Sequence, residues 1–434
     1  MTNLYPAPAM GGAGGTVVNP TRRGFTNTWL FTGIVVSAMA IGLALMLLVI
    51  GADAGFQSLG LGLLFAAIPL GIVVPAFLWL DRFEPEPRGV LFFAFGWGAC
   101  VATVISLVFN TTADVILTRA GAGGWTAVVS APIVEETTKG LAVLLIFLVR
   151  RRDFGGVVDA IVLAGMSAAG FAATENILYL AGANFSTGTS GLLTIFVLRG
   201  LILPFTHPMF TACTGAGIGI AAITSKKWLK IVAPIVGLLC AMFLHALWNF
   251  SASTGLVILV FPFVEIPLFI AGVIAVIVLR RREGQIIGRY LWDYVRSGWF
   301  SPGEVWMLAS MSRRTQARRW AKTTGGTPGR TAMRTFQNAS SDLALLRARV
   351  VRGSADAQVV SEQWDLLQTT AAAREAFAPT LGQPPVQAQM QQLPVIGSGY
   401  GQPPPGYGQA PPGYGQPPPG YGQPPPGYGQ PPPS

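Results

Sequence analysis

Long runs of apolar residues, separated by short polar connections, fill the chain from about residue 28 to residue 280. A membrane-spanning helix needs about 20 predominantly apolar residues, and eight of these runs are long enough to supply one. The pattern therefore predicts an all-α, polytopic membrane protein with about eight transmembrane helices, followed by a helical or disordered cytoplasmic C-terminal region. The predicted spans are roughly 28–50, 59–80, 90–109, 125–149, 156–181, 191–222, 231–252 and 255–280.

The sixth predicted span is longer than a membrane requires, and it contains Pro204 and Pro208. Proline removes a backbone N–H donor and disrupts the turn of helix that precedes it. Within hydrocarbon the freed backbone groups need partners inside the protein or in a water-filled cavity. We therefore expect a kinked helix or two half-helices here.

The composition and the placement of charge also indicate a membrane protein. The chain is 51% hydrophobic and 11% charged, whereas soluble proteins carry about a quarter charged residues. The formal charge of +10 alone could suggest a nucleic-acid partner, but the basic residues cluster at alternate ends of the apolar runs. This alternation predicts no nucleic-acid partner and a multi-pass protein of a bacterial-type cell membrane, with both termini cytoplasmic. The clusters are Arg22-Arg23, Arg82 with Arg88, Arg150-Arg151-Arg152, Lys226-Lys227 with Lys230, and Arg280-Arg281-Arg282.

Four regions follow from these patterns. Residues 1–24 are rich in Gly, Pro and Asn and are predicted to be disordered. Residues 25–282 form the membrane-embedded domain, and residues 283–380 a mostly helical cytoplasmic segment. Residues 381–434 are a disordered tail, in which a Gly-Tyr-Gly-Gln-Pro-Pro-Pro heptad is repeated and favours extended polyproline conformations. The tyrosines of the tail could make weak multivalent protein contacts, although a solvated tail is the simpler interpretation.

Local signals divide the cytoplasmic segment further. Ser301-Pro302-Gly303-Glu304 has the pattern of a capping box with proline at the first helical position. Ser341 is the predicted N-cap of a helix that runs to about Val351, and another helix is predicted over about 355–377. Residues 312–334 are predicted to be a solvated, lipid-facing linker. A preceding run of aromatic residues is expected along the membrane interface: Tyr290, Trp292, Tyr294, Trp299 and Phe300.

Charged and titratable residues stand inside four consecutive apolar runs. A charged side chain costs ~2.5–3.5 kcal/mol on membrane-insertion scales, so an intramembrane ionisable residue is a functional hypothesis by default. In the fourth run Lys139 is placed one turn after both Glu135 and Glu136, so it can pair with either carboxylate. Two carboxylates with one lysine are candidates for acid–base chemistry. An ion pair at a helix end near the lipid headgroups is the alternative explanation.

The next three runs add further polar groups. Glu175-Asn176 lies in the fifth run, and the only two histidines of the chain, His207 and His245, lie in the sixth and seventh. Asn249 is one turn beyond His245, on the same face. Helix rise places these residues at a similar depth in the outer half of the membrane, so we expect them to converge. Taken singly, Glu175 could cap a helix at the interface and either histidine could be a packing residue.

The convergence predicts hydrolysis by one of two routes. Two histidines and one glutamate are a known catalytic zinc set that leaves a position for water. Without metal, a Glu–His pair could activate water directly while Asn249 or Lys139 stabilises an oxyanion. Arg199, eight residues before His207, is a candidate partner for one of the carboxylates.

Two other classes of function use the same features. A proton- or cation-coupled transporter also needs intramembrane Glu and His, although the charged spans show no clear inverted repeat. A scaffold could recruit partners through the tail and the cytoplasmic segment.

Over about residues 60–280 the sequence resembles the PrsW family of membrane-embedded proteases, which is related to the CAAX-prenyl-protease and Abi superfamily. The resemblance implies regulated proteolysis of membrane-protein substrates near the outer face, as in site-1 cleavage of an anti-sigma factor. Four motifs carry it, in order and on consecutive spans: Glu135-Glu136-x-x-Lys139, Phe171-x-x-x-Glu175-Asn176, His207-Pro208 and His245-x-x-x-Asn249.

The resemblance also implies roles for the residues of these motifs. Glu135 would be the general base, with Glu136 supporting it. Glu175, His207 and His245 would hold Zn²⁺ or polarise water. Asn249 would stabilise the oxyanion. Relatives in the wider superfamily carry Arg and His where this chain has Lys139 and Glu175, and both the metal and the metal-free mechanisms stay open.

Overall fold

The computed structural model describes residues 29–83, 85–150, 154–351 and 359–377, with side chains from residue 36 onward. Within these ranges the chain is helical and contains no strand, which confirms the predicted all-α class. The segments predicted to be disordered, 1–24 and 381–434, lie outside the described residues. The α-helices are α1 Trp29–Ala54, α2 Phe56–Leu80, α3 Arg88–Gly96, α4 Thr103–Arg119, α5 Ala131–Val149, α6 Val157–Ile195, α7 Thr206–Ile223, α8 Lys227–Thr254, α9 Val257–Val260, α10 Ile266–Arg296, α11 Pro302–Leu308, α12 Met311–Val351 and α13 Val359–Phe377, with π-helical segments at Trp97–Ala102, Thr126–Ser130, Phe196–Ile202 and Phe261–Glu265.

Six helical stretches among the described residues are long and apolar enough to cross a membrane. The predicted count of about eight is approximate for two reasons. Helix α5 carries three charged side chains, and it is not among the six. The predicted fifth and sixth spans fall within one of the six stretches, Val157–Ile223. The six are Val36–Ala54, Phe56–Leu80, Arg88–Arg119, Val157–Ile223, Lys227–Thr254 and Val257–Arg296.

The long stretch Val157–Ile223 is interrupted twice. Gly188 has a φ of 68° and kinks α6, a backbone conformation that glycine adopts without steric cost. The chain then leaves the π-helical segment at Ile202 and begins α7 at Thr206, with Pro208 in the first turn. Two helical segments therefore replace the predicted sixth span, and the expected effect of Pro204 and Pro208 is confirmed.

Helix α6 forms the centre of the membrane-embedded core. Every residue from Asp159 to Phe171 is buried, because α2, α3 and α7 pack around this part of the helix. Close approach between α6 and α7 depends on Gly215, where a Cβ atom would lie 2.6 Å from the Ala160 carbonyl oxygen. Helix α7 packs in turn on α8, and α5 contacts α6, α7 and α8. The four helices that carry the predicted site residues are thus mutual neighbours.

A second hydrophobic core lies beyond the spans. Helix α10 continues without a break to Arg296, and its last turns pack with α11, α12 and α13 around Leu291, Leu308 and Phe336. The predicted capping box is confirmed at α11. The Glu304 N–H donates to Ser301 Oγ at 3.2 Å, and the Ser301 N–H donates to Glu304 Oε2 at 2.8 Å. Helix α13 confirms the last predicted helix over its described part.

Three predictions for this region are wrong. Residues 312–334 are helical rather than a linker, and Arg314 among them is fully buried. Ser341 does not cap a helix but lies inside α12, where its hydroxyl donates to the Gln337 carbonyl oxygen at 3.0 Å. The aromatic run is not spread along an interface, because Tyr294, Trp299 and Phe300 are buried in the second core.

Candidate active site

The three charged residues of α5 form a buried ion-pair network. Lys139 Nζ lies 2.9 Å from Glu136 Oε1 and 3.3 Å from Glu135 Oε2. Lys139 and Glu136 are completely buried, and the Glu135 side chain is 8% exposed. Lys139 also lies over the Phe171 ring at 3.9 Å from its centroid. The i, i+3 and i, i+4 spacings place both carboxylates on the lysine, as the sequence predicts.

Glu136 is anchored by groups from three helices. Besides Lys139 on its own helix, it accepts a hydrogen bond from the Thr211 hydroxyl of α7 at 2.8 Å. Its Oε1 lies 3.0 Å from His245 Nδ1 of α8. A carboxylate has only acceptor atoms, so the Nδ1–H of His245 is the donor. Glu136 therefore fixes the tautomer of His245 and leaves Nε2 as the free lone pair.

Glu135 is held more loosely than its neighbour. Its Oε1 accepts from Asn110 Nδ2 at 3.4 Å, and its Oε2 is 3.9 Å from His245 Nε2. Asn110 in turn accepts from the Ser130 hydroxyl at 3.0 Å, which orients the amide. Of the two adjacent carboxylates, Glu135 is thus the one with room for a substrate water or an ion.

His207 bridges the α5 network and a second ion pair. Lys139 can only donate, so its contact of 3.2 Å with His207 Nδ1 makes that nitrogen the acceptor. The opposite nitrogen, Nε2, lies 2.7 Å from Glu175 Oε2 and carries the proton. Arg199 Nη2 reaches the same carboxylate oxygen at 2.6 Å, and Arg199 Nε donates to Asn176 Oδ1 at 3.0 Å. The predicted pairing of Arg199 with a site carboxylate is confirmed.

The two histidines complete the cluster. Their ring centroids are 5.1 Å apart in an edge-on arrangement, and the His245 ring stacks on Phe210 at 5.5 Å. The expected convergence of the four spans is therefore confirmed for one set of residues, which we call the buried polar cluster: Glu135, Glu136, Lys139, Glu175, His207 and His245.

Asn249 lies outside this cluster. Its side-chain amide donates to the Ala127 carbonyl oxygen at 2.7 Å and ties α8 to the π-helical segment before α5. Two further residues that the sequence did not single out for this site contact it directly, Thr211 and Asn110. Both side chains are neutral, so neither carries the sequence signal that a charged residue gives.

The donor set suits a divalent cation. Ligand atoms of Glu135, His207 and His245 lie within 4.8 Å of one another, and two imidazoles with one carboxylate are a frequent zinc set. Each imidazole has its second nitrogen held by a glutamate, as is usual for metal-binding histidines. With neutral imidazoles, three carboxylates face two cations, Lys139 and Arg199, which leaves one net negative charge. Glu175 is engaged by Arg199, so the geometry favours Glu135 as the carboxylate of this set.

Comparisons with known proteins agree on one family. Residues 86–279 match the sequence model described as PrsW family intramembrane metalloprotease. The chain is similar to Protease PrsW of Geobacillus kaustophilus (strain HTA426), with 26% identity over 194 residues that cover 43% of this chain and 78% of that protein. No solved structure matches the chain. All residues of the buried polar cluster fall within the matched range.

Proposed function

We propose that the buried polar cluster is an active site that hydrolyses peptide bonds of membrane-protein substrates. It lies within residues 86–279, which match the sequence model of the PrsW family of intramembrane metalloproteases. The observation that carries this proposal is the convergence of three carboxylates and two imidazoles from α5, α6, α7 and α8. Burying so many ionisable groups in one apolar bundle is costly, and such groups mark functional sites in membrane proteins.

Glu135 acts on the hydrolytic water in this proposal. It is the carboxylate that Asn110 and Lys139 hold only at 3.3–3.4 Å, and its Oε2 faces His245 Nε2. Glu136 is a positioning residue, because its oxygens are engaged by Lys139, Thr211 and His245. The Lys139 ammonium lies within the cluster and can donate to an oxyanion as it forms.

Zn²⁺ fits the same residues. Glu135, His207 and His245 would hold it, and a bound zinc ion supplies a more acidic water and polarises the substrate carbonyl. Lys139 now occupies the lone pair of His207 Nδ1 and lies 3.3 Å from Glu135 Oε2. A cation at these atoms would compete with that ammonium, which would keep its partner Glu136.

A cleavage assay tests the assignment. The full chain in proteoliposomes is given a single-span membrane substrate, and cleavage is compared for the wild type and for Glu135→Gln. We expect a loss of about 10²–10⁴-fold, the usual contribution of a positioned acid–base group. Asp53→Asn is the matched control, because Asp53 is an exposed carboxylate at the end of α1. Unchanged cleavage in Glu135→Gln, with normal membrane insertion, would overturn the proposal.

Metal analysis decides between the two routes. One zinc ion per chain that is lost in the His207→Ala/His245→Ala variant supports the metal route. Full cleavage by metal-free protein supports water activated by Glu135 alone.

We also propose that the cluster lies toward the outer face, with both termini cytoplasmic, and that the substrates include anti-sigma factors. The alternating basic clusters support the orientation, and the family resemblance supports the substrate class. Comparing cleaved membrane proteins in cells that express the wild type or Glu135→Gln tests the substrate, since an unchanged anti-sigma factor would exclude that class.

A further inference from the structure

A basic groove of about 1480 Å³ lies where the spans meet the second core. One wall is the end of α2 and the turn after it, with Trp79 and Phe83. A second wall is α10 from Ile277 to Trp292, and the third is the start of α12. None of the described residues that line the groove is acidic. Six arginines line it: Arg82, Arg280, Arg281, Arg289, Arg313 and Arg319.

Arg280 supplies a second observation that points to an anion. Its side chain is only 8% exposed and stacks on Trp79, with the guanidinium carbon 3.9 Å from the ring centroid. Its Nη1 is buried and has no hydrogen-bond partner. A buried guanidinium N–H without a hydrogen-bond partner is costly, whereas two oxygens of a phosphate or carboxylate can accept paired hydrogen bonds from the planar guanidinium.

The start of α12 adds donors to the same groove. Ser310, Met311 and Ser312 line it, and the first backbone N–H groups of a helix have no partners within the helix. Backbone donors at a helix N-terminus favour a negatively charged ligand. The groove therefore combines a buried guanidinium nitrogen without a hydrogen-bond partner, five further arginines and backbone donors at a helix N-terminus.

Apolar surface continues from the groove along α10. Ile270, Ile274 and Ile277 repeat at a helical spacing on one face, and they are 52%, 56% and 40% exposed. Ile277 also lines the groove itself. A ligand with an anionic phosphate head and an apolar tail matches this arrangement, because the head would meet the arginines while the tail follows the isoleucines.

We propose that this groove binds the phosphate headgroup of an anionic phospholipid. The lipid would fill the space between α10 and α12 and hold the second core against the membrane surface. Basic pockets next to transmembrane helices bind anionic headgroups in this way. The proposal is independent of the protease assignment, because the groove shares no residue with the buried polar cluster.

Lipid retention by the full-length protein tests the proposal. The protein is purified from vesicles that contain equal amounts of phosphatidylglycerol and phosphatidylcholine, and retained lipid is counted by native mass spectrometry. We expect phosphatidylglycerol to be retained in preference. The Arg281→Gln/Arg289→Gln variant should weaken that binding by about tenfold or more, since both arginines are exposed and line the groove. The single variant Arg280→Gln should act in the same direction.

The control removes equal charge outside the groove. Arg282 and Arg296 are exposed on the same helix and do not line it, so Arg282→Gln/Arg296→Gln should retain phosphatidylglycerol. If both double variants lost the same amount of phosphatidylglycerol, retention would depend on the overall surface charge of the protein, and the proposed site would be overturned. Equal retention of the two lipids would overturn it as well. Displacement of phosphatidylglycerol by millimolar inorganic phosphate would assign the groove to free phosphate, and stronger binding of a polyglutamate peptide would assign it to an acidic protein segment.

Discussion

His245 Nδ1 lies 3.0 Å from Glu136 Oε1, and this contact links α8 to α5 at the centre of the membrane-embedded core. The contact sets the tautomer of His245, so the lone pair on Nε2 faces Glu135. Glu136 accepts from Thr211 of α7 at the same time. The position of the histidine therefore depends on a carboxylate that is itself held by three helices.

The adjacent glutamates should respond differently to the same substitution. Glu136→Gln removes the charge that faces both Lys139 and His245 in a site with no solvent exposure. Removing one partner of a buried ion pair costs about 3–5 kcal/mol, so unfolding of the purified protein in detergent should occur at clearly lower temperature. Glu135→Gln leaves Lys139 paired with Glu136 at 2.9 Å, so it should lower cleavage by about 10²–10⁴-fold with a much smaller change in unfolding temperature. Equal destabilisation by the two variants would contradict the division into a reacting and a positioning carboxylate.

Lys139 should limit metal affinity. Its ammonium lies 3.2 Å from His207 Nδ1 and 3.3 Å from Glu135 Oε2, two of the atoms proposed to hold zinc. Lys139→Met removes the competing cation and makes the cluster more negative by one charge. Because a unit charge at such short range is worth several kcal/mol in a protein site, the zinc dissociation constant should fall by at least about tenfold. The same variant should unfold more easily without metal, since Glu136 loses its closest cation.

Calorimetric titration with zinc checks the Lys139 prediction. Lys227→Met is the control, because Lys227 is an exposed lysine at the start of α8. An unchanged or weaker zinc affinity in Lys139→Met would show that the ammonium does not compete for the site.

Arg199 and Glu175 should act as a coupled pair. Arg199 Nη2 and His207 Nε2 share one oxygen of Glu175, at 2.6 and 2.7 Å. Arg199→Gln removes the cation from this shared oxygen, and His207 loses its orientation. Substituting partners that hold a functional histidine typically costs 10–100-fold, and we expect cleavage to fall within that range. Arg119→Gln, at the exposed end of α4, is the control and should leave cleavage unchanged.

A double-mutant cycle separates coupling from independent damage. If the two residues act through one contact, the fold-loss of kcat/KM in Arg199→Gln/Glu175→Gln should be smaller than the product of the fold-losses of the two single variants. The coupling free energy should then be about 0.5–3 kcal/mol. Strictly multiplicative losses in kcat/KM would show that Arg199 does not act through Glu175.

The charged residues within the fourth apolar run correctly predicted the centre of the buried polar cluster. Lys139 could be assigned to its two glutamates from helical spacing alone, because an uncompensated charge in hydrocarbon needs a near partner. The contacts between helices were not predictable in the same way. Thr211 and Asn110 are neutral, and their bonds to Glu136 and Glu135 depend on how α7 and α4 pack against α5.

The helical segment that follows the membrane spans shows where local sequence signals predict helix ends correctly and where they do not. Ser301 and Glu304 cap α11 because both halves of the motif are local in sequence. Ser341 has similar chemistry, but tertiary packing buries it and its hydroxyl accepts from Arg314 at 2.9 Å. The break in α12 occurs instead at Gly326, with a φ of 64°, just before Pro328. Glycine with a nearby proline was the stronger signal, because glycine accepts the positive φ of a helix break and proline removes a backbone donor from the turn that follows.

Packing between α6 and α7 should be as important for activity as the polar contacts. At Gly215 a Cβ atom would lie 2.6 Å from the Ala160 carbonyl oxygen and 2.8 Å from Ala164 Cβ. Gly215→Ala must therefore push α7 away from α6, and overpacking of this kind costs about 1–3 kcal/mol. His207 lies on the same helix, so its contact with Lys139 should lengthen and cleavage should fall along with stability.

Gly182→Ala, on the neighbouring helix α6, is the control for that substitution, because nothing lies within 4 Å of the added Cβ atom. Its stability should stay unchanged or rise by up to ~1 kcal/mol, since alanine favours helix over glycine. The Gly215→Ala/Ala164→Gly variant should recover only part of the lost stability, because the Ala160 carbonyl oxygen remains in the way. Thermal unfolding and cleavage of the three variants measure this directly. Full recovery would mean that side-chain crowding, rather than the approach of the two backbones, holds α7 and His207 in place.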